Sequence, residues 1–452
     1  MATTIGKNML PKAYQTIIIG GGSMGSSAAV HLALAGAKNI CVVEKDPSYR
    51  FASSSLSASG LRQQFSLKEN IQMSIYGANF LQNPSLLAVN DDVPDYQFFQ
   101  NGYLMLSQAH GQQVLQESYQ EQQRSGATWT QLLNQQELQT RFPWLNVHDM
   151  ENSASDVVLG STSRSNEGYF DPWSLVSAMK RKAVSLGVDY IHGNVLGGKF
   201  TGDGPTPTTY NIDSVDVELK GGVGGSVVTL KADKFVNAAG PWASKLVESL
   251  SGGNAAGAAV AHVPVEARKR VVFVVDCQPP KSSNLLVPPR ATPLTVDPSG
   301  IWFRPEGQSP NCSQFIMGVS PPADKDPECH SDAALTLQED DYSLFNDHVW
   351  PCLASRVPAF EYLKIKSAWA GFYEYNTLDQ NAIIGYHSEL SNLVLCNGFS
   401  GHGVQQAPAA GRAVSELILE GKSTSIDLSR FGFDRIVSAP QRPILESEVA
   451  IV

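Results

Sequence analysis

The first 45 residues alternate between apolar runs and a stretch of small residues. The β-branched run Thr16-Ile-Ile-Ile predicts a buried strand, and Ser26-Ser-Ala-Ala29 predicts the opening of a helix. A second apolar run, Ile40-Cys-Val-Val43, predicts another strand. This order of strand, helix and strand indicates an α/β unit at the start of the chain.

Three later segments continue this pattern. Residues 172–187 have amphipathic helical spacing, with Asp171 placed to cap the helix and a proline at its first position. A short strand is predicted at 189–192 and a longer one at 226–236. Residues 237–242 then predict a turn of small residues that leads from the strand into a helix.

The middle of the chain is rich in predicted strands. Residues 263–275 and 301–319 show no alternation of strand and helix, so they indicate a mainly β-sheet domain. Helical spacing returns at 339–352 and at 405–420. The stretch 201–230, rich in glycine, threonine and proline, predicts an insertion at the tip of a hairpin.

Composition narrows the classes of function. The chain has 452 residues, of which 42% are hydrophobic and 17% charged, so we expect a globular protein of two or three domains. It contains no apolar run approaching about 18 residues, which argues against an integral membrane segment. A formal net charge of −10 argues against a nucleic-acid partner.

Cysteine spacing and the two chain ends bear on the cellular compartment. The six cysteines lie far apart without C-x-x-C spacing, so we expect free thiols in a reducing compartment and no metal site. Residues 1–15 lack the apolar core of a secretory signal and do not support a transit peptide. The final Val449-Ala-Ile-Val is not a peroxisomal address.

The turn after the first predicted strand carries the chemistry of a dinucleotide site. In Gly20-x-Gly22-x-x-Gly25, one glycine allows a tight turn, one lets backbone N–H groups approach a pyrophosphate, and one lets helix and strand pack closely. Glu44 ends the second strand, nineteen residues after Gly25, where its carboxylate can accept hydrogen bonds from ribose hydroxyls.

A second glycine-rich loop, Gly398-Phe-Ser-Gly-His402-Gly403, lies near the other end of the chain. Its glycines let backbone come close to a ligand. A helix predicted to begin near Gln405 or Pro408 aims its positive N-terminal dipole at whatever precedes it.

These motifs resemble the glycine and sarcosine oxidase family of flavoproteins, which is D-amino-acid oxidase-like, and the likeness covers nearly the whole chain. The motifs shared with the family are Gly20-x-Gly22-x-x-Gly25 with Glu44, Glu167-Gly-Tyr-Phe-Asp171-Pro, Val236-Asn-Ala-Ala-Gly240-Pro-Trp242 and Asn397-Gly-Phe-Ser-Gly-His402-Gly403. A branch linked to assembly of mitochondrial respiratory complex I also shares Gly60-Leu-Arg62-Gln-Gln-Phe, Pro264-Val-Glu-Ala-Arg-Lys-Arg270, Arg356-Val-Pro-Ala-Phe360, Ser367-Ala-Trp-Ala-Gly-Phe-Tyr373 and Tyr375-Asn-Thr-Leu-Asp379-Gln-Asn381.

The resemblance implies an α/β fold in which a Rossmann-like, GR2-type FAD-binding domain is interleaved with a substrate domain. The FAD-binding domain would comprise residues 14–95, 160–255 and 366–436. The substrate domain, residues 96–159 and 256–365, would be a mainly antiparallel β-sheet with helices that roofs the flavin. Residues 437–452 would form a C-terminal tail.

The resemblance and the motifs together name the expected cofactor residues. They are Gly20, Gly22, Ser23, Met24, Gly25, Glu44, Lys45, Ser54, Arg62, Val195, Ala239, Gly240, Trp242, Gly371, Gly398, Ser400, Gly401, His402, Gly403 and Val404. N–H groups at the Gly398–Gly403 loop would stabilise the negative charge that a reduced flavin develops at N1 and the C2 carbonyl.

Four residues are the catalytic candidates. By resemblance, Arg62 grips a substrate carboxylate, and Gln405 occupies the place of a second cation; the alternative for Arg62 is a surface or interdomain salt-bridge residue. His402 either orients substrate or polarises the edge of the flavin, or it is a packed histidine satisfied by backbone. Tyr373 and Tyr375 share one strand face and Glu374 the other, and one of these faces should line the site.

Several further aromatic and basic residues have two interpretations. Trp302 and Trp369 are either cavity walls or plain core. The basic cluster Glu266-Ala-Arg-Lys-Arg270 is either a solvated start of a strand or faces the flavin.

Three departures from the family bear on the chemistry. A lysine that helps sarcosine oxidases react with oxygen falls near Ile316, so fast oxygen use is in doubt. The residues that bond flavin covalently in relatives fall at Phe372 and about Ser57. We therefore expect FAD to be bound noncovalently.

The resemblance implies an FAD-dependent oxidoreductase that oxidises the C–N bond of an amine or N-alkyl amino acid to an imine, with O2 or a redox protein as electron acceptor. One alternative is an assembly factor of the respiratory chain, with assembly partners there and little or no turnover. A further alternative is a tailoring amine oxidase of natural-product metabolism. The expected location is the mitochondrial matrix or the cytoplasm.

Overall fold

The computed structural model describes residues 11, 13–148, 156–202, 209–220, 226–251, 260–307, 313–437, 445, 446 and 448. Several sequence-based expectations lie wholly or mostly outside the described residues. They concern the targeting signals considered for residues 1–15, Cys312, the last four residues and most of the tail at 437–452.

The secondary structure follows the chain in this order. The strands are β1 (Ala13–Ile19), β2 (Ile40–Glu44), β3 (Gly60–Leu61), β4 (Tyr103–Gln108), β5 (Gln131–Asn134), β6 (Val157–Ser163), β7 (Gly168–Tyr169), β8 (Asp189–Gly202), β9 (Tyr210–Leu219), β10 (Val227–Asn237), β11 (Val265–Cys277), β12 (Leu294–Val296), β13 (Trp302–Pro305), β14 (Gln314–Gly318), β15 (Leu363–Asn376), β16 (Ile383–Tyr386) and β17 (Leu393–Asn397). The α-helices are α1 (Ser23–Leu34), α2 (Lys68–Leu81), α3 (Gln112–Arg124), α4 (Gln135–Arg141), α5 (Pro172–Ser185), α6 (Ala243–Ser251), α7 (Glu339–Leu344), α8 (Trp350–Arg356), α9 (Gly403–Glu420) and α10 (Asp434–Val437).

A seven-stranded sheet within the described residues carries the dinucleotide-type fold. Strands β8, β2, β1, β10 and β17 are parallel in that order, and β16 joins β17 antiparallel. The side chain of Ile18 packs into one core with α1, α5 and α9, whereas Ile17 and Ile19 pack into another core with α6. Where both faces are covered, the strands are continuous buried runs, as at 16–19, 40–43 and Leu393–Asn397.

The second sheet has eight strands within the described residues, in the order β15-β11-β14-β13-β12-β4-β6-β5. Its pairings are antiparallel except for the parallel pair of β12 with β4. Phe273, Phe303, Phe315 and Phe360 fill the core on one face, where α8 also packs. The predicted α/β fold with an interleaved, mainly antiparallel sheet is confirmed.

Some element boundaries differ from the sequence-based ones. The stretch 201–230 was expected to be an insertion, but β9 lies within it and pairs antiparallel with both β8 and β10. Helix α9 begins at Gly403 rather than near Gln405 or Pro408. The expected domain boundaries at 160 and 366 fall inside β6 and β15, which both belong to the second sheet. The division into domains itself stays a prediction.

A buried ion pair joins α10 to the loop that follows β15. Arg435 donates from Nε to Asp379 Oδ2 at 2.7 Å and from Nη2 to Asp379 Oδ1 at 3.1 Å. The Asp379 side chain is fully buried, and Asn376 Nδ2 donates to it at 2.9 Å. The motif Tyr375-Asn-Thr-Leu-Asp379-Gln-Asn381 therefore has a structural role.

The described residues contain no membrane-spanning helix, no disulfide and no metal-binding cluster. Within the part of the chain that the structure describes, none of the helices combines the length and apolarity that a membrane crossing needs. The cysteines described, which exclude Cys312, are all free thiols, and the same residues contain no cluster suited to a metal ion.

Candidate cofactor and substrate site

The turn after β1 is built around glycine. Gly20 has φ +99°, and a side chain there would collide with the Ala238 carbonyl oxygen. A Cβ on Gly25 would overlap the Gly20 carbonyl oxygen, so α1 packs directly on the turn. Helix α1 has Gly22 as its N-cap and therefore no capping side chain. Its first N–H groups are thus available to an anionic ligand.

Glu44 organises the neighbouring loop. Its Oε2 accepts a hydrogen bond from Gly21 N at 2.7 Å, and its Oε1 accepts one from Asp46 N at 2.7 Å. Burial raises the pKa of Glu44, while these N–H groups and Lys180 act in the opposite direction. A carboxylate has about four lone-pair sites, so Glu44 keeps capacity to accept ribose hydroxyls.

A cavity of about 520 Å3 opens beside this turn. This volume is in the range of sites for drug-sized ligands and cofactors. Of the expected cofactor residues, those lining this cavity are Gly20, Gly22, Ser23, Met24, Glu44, Lys45, Ser54, Val195, Ala239, Gly240 and Trp242. The residues join the glycine turn of β1 to the turn that follows β10.

A smaller cavity of about 150 Å3 lies beside strands β11, β13 and β15 of the second sheet. Both cavities share Ser23, Ser53, Ser54 and Glu374 in their linings. Of the expected cofactor residues, Ser23, Ser54, Gly371, Gly401, Gly403 and Val404 line the smaller one. The start of α9 therefore meets the sheet at this cavity, as the resemblance implies for a flavin roofed by the substrate domain.

The Gly398–Gly403 loop has the backbone strain that its glycines permit. Gly398 and Gly401 have φ +73° and +87°, and Ser400 has φ +43°. A side chain on Gly401 would collide with the Tyr373 ring. Among the described residues, the expected cofactor residues that line neither cavity are Gly25, Arg62, Gly398, Ser400 and His402.

Arg62 and His402 form a buried contact, with 3.0 Å between Arg62 Nη2 and His402 Nε2. Since a guanidinium can only donate, His402 Nε2 accepts and the ring proton lies on Nδ1. Burial and then the charge of Arg62 lower the pKa of His402 well below its usual value, against a hydrogen bond to the Phe399 backbone. His402 is therefore neutral, and Phe65 packs edge-on against it at 4.9 Å between ring centroids.

Gln405 differs from the anchor that the resemblance implies. Its Oε1 accepts hydrogen bonds from Arg62 N at 2.9 Å and from Ser74 Oγ at 3.1 Å. The side chain thus holds the backbone at Arg62. Of the four catalytic candidates, Tyr373 lines the smaller cavity, whereas Arg62, His402 and Gln405 lie outside both linings among the described residues.

Arg270 is a site residue that the sequence left undecided. It lines the smaller cavity, and its guanidinium lies 4.5 Å from the centroid of the Tyr373 ring. Asp326 holds it through two hydrogen bonds of 2.7 and 2.9 Å. Burial raises the pKa of Tyr373 to about 12, while the charges of Arg270 and Arg62 both act to lower it. Arg270 and Tyr373 thus meet at the smaller cavity, and Asp326 balances the charge of Arg270.

Of the two tryptophans that the sequence left undecided, one lines a cavity and the other does not. Trp302 lines the smaller cavity, whereas Trp369 donates from its indole N–H to the Leu56 carbonyl oxygen at 2.9 Å and lines neither cavity. Phe372 and Ser57, near which the resemblance puts the covalent attachment points, both line the smaller cavity. Noncovalent attachment of FAD stays a prediction.

The comparisons with known proteins agree with this geometry. Residues 15–417 match the family described as "DAO: FAD dependent oxidoreductase". The chain therefore belongs to this family of FAD-dependent oxidoreductases, and FAD is its cofactor.

Three relatives show the range of similarity. FAD-dependent oxidoreductase domain-containing protein 1 of Xenopus laevis is 41% identical over 453 residues, which cover 97% of this chain and 85% of the relative. Monomeric sarcosine oxidase of Bacillus sp. (strain B-0618) is 23% identical, covering 93% of this chain and 96% of the relative. The crystal structure of L-proline dehydrogenase from P. horikoshii aligns with TM-score 0.73 and 25% identity, covering 95% of this chain and 99% of that one.

The residues present fit FAD. Uncapped N–H groups at α1 suit a pyrophosphate, and Glu44 suits the adenosine ribose. The second cavity leads from this region toward the start of α9, where the dipole suits negative charge on the flavin ring. These assignments of single residues to parts of FAD are proposals.

Proposed function

We propose that this oxidoreductase oxidises the C–N bond of an amino acid or N-alkyl amino acid. The observation that carries the proposal is the placement of Arg270 and Tyr373 together in the lining of the smaller cavity, with the Arg270 guanidinium 4.5 Å from the centroid of the Tyr373 ring. Two relatives whose names specify amino-acid chemistry, a sarcosine oxidase and an L-proline dehydrogenase, support the same substrate class. Bound FAD would supply the two-electron acceptor for the hydride on the carbon next to nitrogen, the nitrogen would lose its proton to solvent, and water would hydrolyse the imine to a carbonyl compound and an amine.

The two arginines suit a carboxylate in different ways. Asp326 occupies one edge of the Arg270 guanidinium, and Arg270 Nε–H is buried without a hydrogen-bond partner among the described residues. A substrate carboxylate would satisfy this donor, and a fork of N–H groups matches its planar shape. Arg62 adds charge from the side of His402, while the neutral Gln405 adds none. We therefore expect modest affinity and some tolerance of larger substrates.

Tyr373 and His402 have defined protonation states for this role. With a pKa raised to about 12, Tyr373 stays protonated near neutral pH and acts as a hydrogen-bond donor rather than a base. Neutral His402 accepts from Arg62 and so fixes the direction of its guanidinium. Arg270 and Tyr373 would hold the substrate, Arg62 would add charge from the side of His402, and His402 would act as a positioning residue.

The alternative of an assembly factor with little or no turnover is not favoured by the comparisons or by this site. O2 and a redox protein are the two candidate electron acceptors. Ile316, which takes the place of the oxygen-activating lysine, is a buried apolar residue on β14. Its identity supports slow use of O2, and therefore a dehydrogenase.

The test compares matched substrates in the holoprotein. N-methylalanine and N-methylethylamine differ by the carboxylate alone, and flavin reduction is followed anaerobically with each. We expect N-methylalanine to be the better substrate. Arg62→Ala and Arg270→Ala should each weaken its binding more than they slow flavin reduction at saturation, because the carboxylate contact is made before and during reaction.

Arg268→Ala is the matched control on the same strand. Arg268 pairs with Glu266, lies over the Tyr375 ring, and lines neither cavity. It should leave the affinity for N-methylalanine unchanged. Equal reduction by N-methylethylamine in the wild type, or full affinity in both active-site variants, would contradict the proposed substrate class.

A further inference from the structure

Glu374 stands at the junction of the two cavities. It lies on β15, is 9% exposed, and contributes to both linings. A Cβ on Gly403 would come 3.1 Å from Glu374 Oε1, and one on Gly240 would come 3.7 Å from Oε2. The carboxyl group therefore sits between the start of α9 and the turn after β10.

The two oxygens of this carboxyl differ in their partners. Backbone N–H groups of Gly398 and Phe399 donate hydrogen bonds to the side chain. Oε2 is buried and has no hydrogen-bond partner among the described residues. Within the same residues, no cation forms an ion pair with Glu374. A buried polar atom without a partner is rare in a folded protein, and it indicates a ligand that completes the site.

The negative charge of FAD favours one protonation state of Glu374 over the other. The pyrophosphate of FAD is anionic, so an ionised carboxyl in the same enclosed space would repel it. A neutral carboxylic acid carries one O–H donor and still accepts from the two backbone N–H groups. The neutral form thus satisfies every polar atom of the side chain once FAD is bound.

We propose that Glu374 binds FAD as a neutral carboxylic acid, with its Oε2 hydroxyl donating a hydrogen bond to an oxygen of the cofactor where the two cavities meet. The proposal rests on FAD as cofactor and not on the identity of the substrate.

Titratable groups around Glu374 agree with this protonation state. Burial raises its pKa to about 8, against the N–H groups of Gly398 and Phe399. Tyr373 and Tyr375 flank it on β15, the thiol of Cys396 on β17 interacts with its charge, and neutral His402 caps α9. The cationic residues on the paired strand β11 are Arg268, held by Glu266, Arg270, held by Asp326, and Lys269, which the register puts on the face of Glu374 and which pairs with Asp341.

These surroundings predict a proton-linked cofactor affinity. FAD binds to the apoprotein in which Glu374 is protonated. Bound FAD therefore makes Glu374 hold its proton more tightly. Affinity should therefore be constant at low pH and fall as pH rises above about 8, by up to about tenfold per pH unit.

The experiment measures FAD binding to the apoprotein between pH 6 and pH 10 by quenching of flavin fluorescence (the range brackets the value of about 8). Glu374→Gln keeps a neutral donor of similar size, so it should bind like wild type at neutral pH and lose the decline near pH 8. Glu374→Leu removes the donor and should weaken binding about tenfold or more at neutral pH. Glu361→Gln, an exposed acid outside both linings, is the control for net charge.

Comparison of Glu374→Gln with wild type at each pH cancels the titration of FAD itself. Thermal unfolding of each apoprotein checks that the variants are folded. The same pH profile in Glu374→Gln as in wild type would overturn the proposal. So would unchanged FAD affinity at neutral pH in a folded Glu374→Leu protein, because a purely structural side chain would produce either result.

Discussion

We expect Glu44→Ala to weaken FAD binding more than any other single change in the loop after β2. The carboxylate of Glu44 accepts two backbone hydrogen bonds of 2.7 Å, one from Gly21 and one from Asp46. It also lines the larger cavity. The variant therefore removes the proposed contact to the ribose and the acceptors that fix the loop around it.

The size of the effect follows from these bonds. A hydrogen bond to a charged group contributes about 1.5 to 3 kcal/mol. Loss of the ribose contact alone should raise the Kd for FAD by roughly 10- to 150-fold, at about 1.4 kcal/mol per factor of ten. Relaxation of the loop acts in the same direction. Glu44→Gln keeps the volume of the side chain and one acceptor oxygen, so its affinity for FAD should lie between those of the wild type and Glu44→Ala.

Titration of apoprotein with FAD gives these constants directly, and retention of FAD on a desalting column gives a simpler measure. Glu117→Ala on α3 is the control, because Glu117 is exposed and lines neither cavity. If Glu44→Ala binds FAD as tightly as Glu117→Ala, Glu44 does not hold the ribose, and the assignment of the larger cavity to the adenosine half of FAD fails.

Three further predictions follow from the same geometry. FAD should stay in the supernatant after acid precipitation, because Phe372 and Ser57 cannot form the covalent links of relatives; colour in the washed pellet would contradict this. Gly25→Ala should prevent FAD binding, since the added Cβ would overlap the Gly20 carbonyl oxygen in the turn. A purified variant that is yellow from bound FAD would refute this prediction. Asp379→Ala leaves the Arg435 guanidinium buried without its carboxylate partner, so it should lower the free energy of unfolding by about 3 to 5 kcal/mol. An unchanged Tm in thermal unfolding would contradict this.

Strands β1 and β2 could be predicted because each contains a continuous apolar run, 17–19 in β1 and 40–43 in β2. Such runs are typical of parallel strands in a sheet that is covered on both faces. Strand β9 was missed for the opposite reason. It lies in a stretch rich in small and polar residues, which obscured the alternation of apolar and polar residues in Val215-Asp-Val-Glu-Leu219, a pattern typical of a half-buried strand.

The site was only partly accessible from sequence. The glycines and Glu44 follow one another within a single βαβ unit, so local spacing indicates their meeting point. Arg270 and Glu374 come together through the pairing of β11 with β15, about 100 residues apart, and no local pattern gives that register. Which oxygen of Glu374 is left without a partner depends on backbone placement at Gly398 and Phe399.

The most direct test of the proposed chemistry is a stoichiometric single turnover of the wild-type holoprotein. It is mixed without oxygen with a panel of N-alkyl amino acids, and bleaching of the oxidised flavin is compared with the carbonyl product formed after hydrolysis. We predict that at least one member of the panel bleaches the flavin fully and yields one equivalent of carbonyl product per FAD. An unbleached flavin across the panel, in protein that dithionite still reduces, would contradict C–N oxidation as the activity of this site.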